Sequence, residues 1–455
     1  MSSTITIKEA FEKSLFLLGA GFSYDTGCLT SNQMFDDLRK IILGKEQSDF
    51  TDIEKETLRF LLANMGYHSE WRTLETAGEM SFSPNIEELV LLIRRIANRD
   101  HLVPYSITGN WADKLIQLEA KYEASKQKDE PGLFHSLLFK FRNLLKEKWL
   151  KIDKEKLNYL SPLLGLLKDT ADTPFSIDIF SLNNDLVIET YFSKEQQIPW
   201  RGFVQGQWKG LEREPNEEQF GRINLYKLHG SIDWVRPSDY TIWEESKLGM
   251  EVYSEEYDLK IIKEQTKKDP FVHYPYLIFG QGTKTFSAEP FFTLINHFHK
   301  ALKSEEKKYI FVIGYSFFDP YINNLLFDAA KEDKRLIIIN PYLGPQKLYQ
   351  KYQDENNDNQ HKPKPNPDNY FQVEFPEGCD QSNLIDYLKN IQKNNFYSEL
   401  PEFNQLDIRG QNLNYIPLQT DEFLEKFFTN SGNLFTSFID HFDRKNKEDL
   451  PFKDD

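Results

Sequence analysis

Only two cysteines, Cys28 and Cys379, occur in 455 residues. They cannot build a disulfide framework or a four-cysteine zinc site, and such sparse usage fits a reducing cytoplasm. No uninterrupted apolar run approaches the ~18 residues of a membrane span, so none is expected. The first eight residues, MSSTITIK, lack the apolar region of a signal peptide. Basic charge is also in deficit. Lys and Arg number 55 against 71 Asp and Glu, a formal net charge of −16. Gripping nucleic acid without sequence preference requires a basic surface that displaces counterions, so direct nucleic-acid binding is not expected. Residues 146–156 mix both signs and read as a solvated helix face. No internal repeat is visible.

There is ample material for a core. Hydrophobic residues make up 39% and aromatics 14% of the chain, with 36 phenylalanines. This length suits two or three units, or one large α/β domain with an insertion. Residues 13–19, KSLFLLG, read as a buried parallel strand ending in glycine. Ser31 and Asn32 are expected to cap a helix running to about Ile42. Residues 55–170 read mostly as helices. Asn85 is expected to cap one to about Ala97. An apolar stripe from Leu133 to Trp149 marks another, with Pro131 suited to its first turn. A third candidate covers 157–167.

Strand patterns return at 175–182 (FSIDIFSL), 222–228 (RINLYKL), 276–280 (YLIFG), 308–314 (KYIFVIG) and 335–340 (RLIIIN). Helices are expected at 287–303 and 319–330. Strands alternating with helices imply a doubly wound parallel sheet. Residues 351–369 are polar and broken by proline, as in a surface loop, and 370–374 read as one more strand. A final helix is expected from about Asp421. Its stripe of Leu424, Phe427, Phe428, Leu434, Phe435, Phe438 and Phe442 suits packing on the main body or, alternatively, an oligomer or partner surface.

Ligands of open parallel sheets sit beyond the carboxyl ends of the strands. Four polar segments fall there: Gly19-Ala20-Gly21-Phe22-Ser23, Asn183-Asn184-Asp185, His229-Gly230-Ser231 and Gly314-Tyr315-Ser316. Glycines 19 and 21 allow a backbone to approach a pyrophosphate, and a following helix N-terminus favours negative charge. The dehydrogenase fingerprint wants a third glycine where Tyr24 stands, and its acidic residue should end a strand, whereas Asp36 and Asp37 lie in a helix. A nicotinamide dehydrogenase is therefore disfavoured, and the lysine and hydroxyl of a P-loop are missing too. A histidine taken alone is more often structural. At a strand end, with glycine next, His229 becomes a candidate for moving a proton at neutral pH. Asn183 can orient a water or a ribose hydroxyl without carrying charge.

Five segments, GAGFSYDTG, SLNNDLVIE, KLHGSIDW, IGYSFFDPYIN and the strand ending in Asn340, occur in the order found in sirtuin-like domains. The resemblance spans roughly residues 13–345. Pro84-Asn85-Ile86-Glu87-Glu88 and the turn Gly282-Thr283-Lys284 resemble the bacterial branch, which includes NAD-hydrolysing effectors of anti-phage defence. The resemblance implies a Rossmann-like α/β domain from 1–50 and 172–378, a helical insertion from 51–171 and a helical C-terminal extension from 379–455. It implies that Gly19, Ala20, Gly21 and Ser23 hold pyrophosphate and ribose, and that Asn183 positions ribose and water. By the same likeness Asp185 lies near the carboxamide and His229 is the catalytic base. Gly314 and Ser316 would touch phosphate or ribose, and Asn340 the adenosine ribose.

The zinc module and the Ile-Pro-Asp-Phe-Arg stretch of protein deacylases are absent, and Asn184 replaces their Ile or Tyr. The expected activity is therefore hydrolysis of NAD+, bound as substrate with no metal, to nicotinamide and ADP-ribose. The alternatives are an NAD- or ADP-ribose-binding regulatory subunit without turnover, and a sirtuin-type deacylase. Relatives of the bacterial branch are gated by oligomerisation or by a partner. A homo-oligomer and a separate activator, such as an ATPase, an argonaute-like protein or a nucleotide sensor, are thus implied.

Overall fold

The computed structural model describes residues 5–76, 86–97, 110–128, 130–173, 175–205, 207–212, 220–235, 251–252, 289–317, 319–332, 334–340, 413–416 and 418–448. Seven strands form one sheet: β1 (Ser14–Leu18), β2 (Ile177–Ser181), β3 (Ile198–Trp200), β4 (Phe220–Lys227), β5 (Tyr309–Ile313), β6 (Arg335–Ile339) and β7 (Leu413–Ile416). Their order is β7-β6-β5-β1-β2-β4-β3, and every pairing is parallel. β1 is thus central. The chain builds outward through β2 and β4, then returns to β1's other side with β5. This reversal places a switch point between β1 and β5, and a crevice opens there at the strands' carboxyl ends.

The sequence of β1 explains its place. All five residues are buried, as a strand covered on both faces requires. Successive side chains alternate between two cores. Phe16 and Leu18 join one with Ile179, Leu225, Phe311 and Ile337, while Leu15 and Leu17 join the other with Phe180, Tyr226, Ile310 and Leu336. The helices α1 (Ile7–Glu12), α7 (Ser161–Asp169) and α8 (Val187–Lys194) cover the first face. The second is covered by α9 (Phe291–Lys303) and α10 (Pro320–Lys331). A doubly wound α/β sheet is therefore the architecture.

A third core belongs to a helical lobe of α2 (Ser31–Ile42), α3 (Asp52–Thr76), α4 (Ile86–Ala97), α5 (Asn110–Ser125) and α6 (Leu133–Leu144). Its buried residues run from Met34 to Trp149 and include Ile232 beyond β4, whereas Leu157, Leu160 and the leucines of α7 pack on the sheet. Local details differ from expectation. Thr30, not Ser31 or Asn32, caps α2 through a reciprocal box with Gln33. Gly132 is the cap of α6, which leaves Pro131 outside the helix, and a π-helical turn at Leu145–Trp149 follows.

The C-terminal segment forms two helices, α11 (Thr420–Phe428) and α12 (Asn433–Glu448), separated by a turn at Asn430–Gly432. Asn430, Ser431 and Gly432 all have positive φ, which one continuous helix cannot accommodate. Leu424, Phe427, Phe428, Phe435, Phe438 and Phe442 are buried against the β1–β5–β6 face, with Leu434 packed beside them. This stripe is the lid of the sheet, so its apolar side chains are not a partner surface. β7 was not foreseen. The expected strands at 276–280 and 370–374, the Gly282-Thr283-Lys284 turn and the loop at 351–369 lie outside the described residues. No helix among the described residues is long and apolar enough to cross a membrane.

Candidate functional site

The motif segments meet because the strand ends are in register and bonded to one another. The Gly19 N–H donates to Ile313 O at 2.9 Å, Gly314 N–H to Ile339 O at 2.9 Å, Leu182 N–H to Leu18 O at 2.9 Å and Leu228 N–H to Ser181 O at 2.8 Å. Beyond these ends lies a cavity of about 610 Å³, within the range of small-molecule sites. All ten residues singled out from the sequence line it: Gly19, Ala20, Gly21, Ser23, Asn183, Asp185, His229, Gly314, Ser316 and Asn340. The helical lobe forms the opposite wall through Met34, Ile86, Val90, Leu145, Trp149 and Leu150, and Gln419 and Thr420 close one end.

The glycines serve packing as well as approach. A Cβ on Gly19 would stand 2.5 Å from Tyr315 Cα, and one on Gly21 would stand 2.9 Å from Gly314 Cα. Gly314 has φ +64°, and its Cβ would lie 2.4 Å from Phe22 N. Two backbones touch there, across the switch point. The loop after β1 makes two short 3-10 turns, Ala20–Phe22 and Tyr24–Thr26, so no helix follows the glycines directly. The first turn of α2, from Ser31, nonetheless borders the same cavity.

Asn183 is buried, and its amide is oriented by acceptors. Nδ2 donates to Gly19 O at 2.8 Å and to Ser23 Oγ at 3.1 Å. A carbonyl can only accept, so this nitrogen must face Gly19, and Oδ1 remains the acceptor end. Asp185 is also buried. Its Oδ1 accepts from Val187 N–H at 3.0 Å, at the start of α8, and Lys227 Nζ donates to its carbonyl. Lys227 itself does not line the cavity; it pairs with Glu189 at 3.3 Å, which pairs with Arg201 at 3.1 Å.

His229 is held from two sides. Asn184 Nδ2 donates to the carbonyls of His229 and Gly230 at 2.8 and 3.2 Å. On the ring side, Nε2 lies 3.0 Å from Asp319 Oδ2. Neither Asn184 nor Asp319 was selected from the sequence. Asp319 precedes Pro320 at a helix start, where a capping role accounts for an aspartate locally and hides any other. Asn184 looked only like a departure from a motif.

The lining is acidic. Asp25, Glu87, Asp185 and Asp319 border the cavity, and among its described lining residues there is no Lys or Arg. Burial, with the charge of Asp421, raises the Asp25 carboxyl above its usual range. Burial and then the Asp185 carboxylate push the Cys28 thiol up to about 12, so it stays protonated and is no nucleophile. Such a site can stabilise developing positive charge and move a proton at His229. Among the described residues no group of three or more His, Cys, Asp or Glu is placed to hold a metal ion.

Residues 178–361, less than half of the chain, match the family described as the SIR2-like domain. This stretch holds the Asn183, His229, Gly314 and Asn340 segments. Three solved structures show a loose similarity to the chain. One is Sir2Tm bound to a propionylated peptide, at 10% identity, covering 92% of this chain and 93% of that one, with a TM-score of 0.31. The second is a histidine mutant of a Sir2 homologue in complex with ADP-ribose, at 14% identity, 75% and 86% coverage and a TM-score of 0.30. The third is a Sir2 histidine mutant with a p53 peptide and NAD, at 10% identity, 91% and 90% coverage and a TM-score of 0.27. These overlays are loose, and the architecture stands on the chain's own strand order. No curated protein matches the sequence.

Proposed function

We propose that this protein hydrolyses the nicotinamide–ribose bond of NAD+, giving nicotinamide, ADP-ribose and a proton. The observation that carries this reading is the convergence of Asn183 and His229, both within the SIR2-like segment, on one anionic cavity at the switch point. As the bond breaks, positive charge develops on the ribose, and a pocket edged by carboxylates favours that change.

Each residue then has a task its geometry permits. Asn183, with its N–H groups committed to Gly19 and Ser23, offers Oδ1 to a water or a ribose hydroxyl, an orientation effect. His229 accepts the proton from that hydroxyl or water, a contribution of about 10²–10⁴-fold in rate. Asp185, which lines the same cavity, is assigned the task of orienting the carboxamide. With no cationic side chain among the described lining residues, the pyrophosphate is left to N–H groups and hydroxyls. The N–H groups of Gly19, Gly21 and Gly314 already bond within the fold, so the candidates are the Ala20 N–H and the Ser23 and Ser316 hydroxyls, with the first turns of α2 and α11 adding their dipoles. Asn340, at the end of β6, suits the adenosine ribose. Water is the acceptor, because the chain lacks the cysteines of the zinc module that accompanies an acyl-lysine groove.

Uncontrolled NAD+ hydrolysis would poison the cell that makes the enzyme. We therefore place the protein among regulated effectors of bacterial anti-phage defence, cytoplasmic, oligomeric and switched on by a separate sensor. An ATPase, an argonaute-like protein and a nucleotide-sensing protein are the partner types to try. The test is nicotinamide release from NAD+ by the purified chain, alone and with such partners, alongside its size with and without NAD+. Release abolished by Asn183→Ala and by His229→Ala supports the reading. Tight NAD+ or ADP-ribose binding with no release would instead mark a regulatory subunit. Release that requires an acyl-lysine peptide would mark a deacylase.

A further inference from the structure

We propose that Asp319 is a positioning residue that sets which nitrogen of His229 carries the proton, and so which one can act as base. This role rests on the reading of His229 as the base, but its geometry is independent of the substrate. The Asp319 carboxylate divides its oxygens. Oδ1 caps α10, accepting from Tyr321 N–H at 3.0 Å and Ile322 N–H at 3.3 Å. Oδ2 faces His229 Nε2 at 3.0 Å. The backbone is fixed as well, since Asp319 N–H donates to the Tyr315 hydroxyl at 3.0 Å, and that hydroxyl donates to Asn323 Oδ1 at 2.8 Å.

An ionised carboxylate at a helix N-terminus is favoured by the dipole and by the N–H groups it caps. It can only accept, so the neutral imidazole must present Nε2–H to it and keep its lone pair on Nδ1. One side chain thus ties the proton bookkeeping of His229, at the end of β4, to the rigid start of α10. The Asn184 bonds to the His229 and Gly230 carbonyls hold the other side of the same residue.

Asp319→Asn separates the two jobs. Asparagine caps a helix as well as aspartate does, so Oδ1 keeps α10. Its Nδ2 then faces His229 Nε2 and can only donate, which forces the proton to Nδ1 without changing side-chain volume. The experiment uses the full chain labelled with ¹⁵N-histidine, the His229 signals being identified by their loss in His229→Gln. The expected result is a proton on Nε2 in the parent and on Nδ1 in Asp319→Asn, at an unchanged denaturant midpoint. In the NAD+ assay, kcat for nicotinamide release should fall about 10²–10⁴-fold with KM nearly constant. The same ring nitrogen protonated in both proteins would overturn the proposal, as would a swapped tautomer with undiminished kcat. If the parent releases no nicotinamide under any condition, the reaction assigned above fails while the tautomer comparison still decides the role of Asp319.

Discussion

Gly21 and Gly314 meet backbone to backbone across the switch point. The Gly21 N–H donates to Gly314 O at 2.8 Å, and a Cβ on Gly314 would lie 2.6 Å from the Gly21 carbonyl carbon. The loops after β1 and β5 are thereby locked together on the floor of the cavity.

Gly314→Ala is expected to damage that lock on two counts. Its φ of +64° is unfavourable for any residue with a Cβ, and the new methyl would press on the backbone of Gly21 and Phe22. A left-handed alanine costs about 1–2 kcal/mol and overpacking about 1–3 kcal/mol. Urea unfolding should show a loss of at least ~2 kcal/mol in stability, and NAD+ affinity measured by calorimetry should fall with it.

Asn184→Ile restores the kind of residue that deacylases carry at this position, yet here it should harm the protein. The substitution removes two hydrogen bonds that hold the His229 and Gly230 carbonyls. At about 0.5–1.5 kcal/mol for each bond lost, a stability change of roughly 1–3 kcal/mol is expected. Nicotinamide release should decline more than NAD+ binding does, because the loosened residue is the proposed base. Equal kcat in the two proteins would show that Asn184 does not hold the catalytic geometry.

Docking of α12 should be acid-sensitive. Burial acts to raise the Asp443 carboxyl, but hydrogen bonds from Lys13 and Tyr309 outweigh it and hold the group below its usual range. A carboxyl lowered on folding adds stability that is fully present above its unfolded pKa of about 4 and is lost as pH falls through the lower folded value. Stability of the parent should therefore drop on acidification below about pH 4 more steeply than that of Asp443→Asn. Parallel curves from urea unfolding across pH 2–6 would contradict this.

Much of the site was legible because its parts are local. Strands such as FSIDIFSL are continuous apolar runs, and each stops at a polar or glycine residue that needs no tertiary context to be noticed. Asp319 was hidden within IGYSFFDPYIN by its plausible local job as a helix cap. The phenylalanines of α11 and α12 were visible as a stripe, but a stripe does not say whether it meets its own sheet or another chain. In the fold it lies on Phe16 and Phe311, sharing with α1, α7 and α8 the cover of one face of the sheet.

Local order along the chain therefore determined the parallel α/β class and the strand ends near which the ten selected residues stand, since apolar period and chain-breaking residues act over a few neighbours. The tertiary structure alone decided that β5 returns to the far side of β1 and that β7 forms one edge of the sheet. It alone brought Asp319 to His229 from 90 residues away. Those outcomes depend on which surfaces meet, and a pairing energy between distant residues leaves no periodic trace in the sequence.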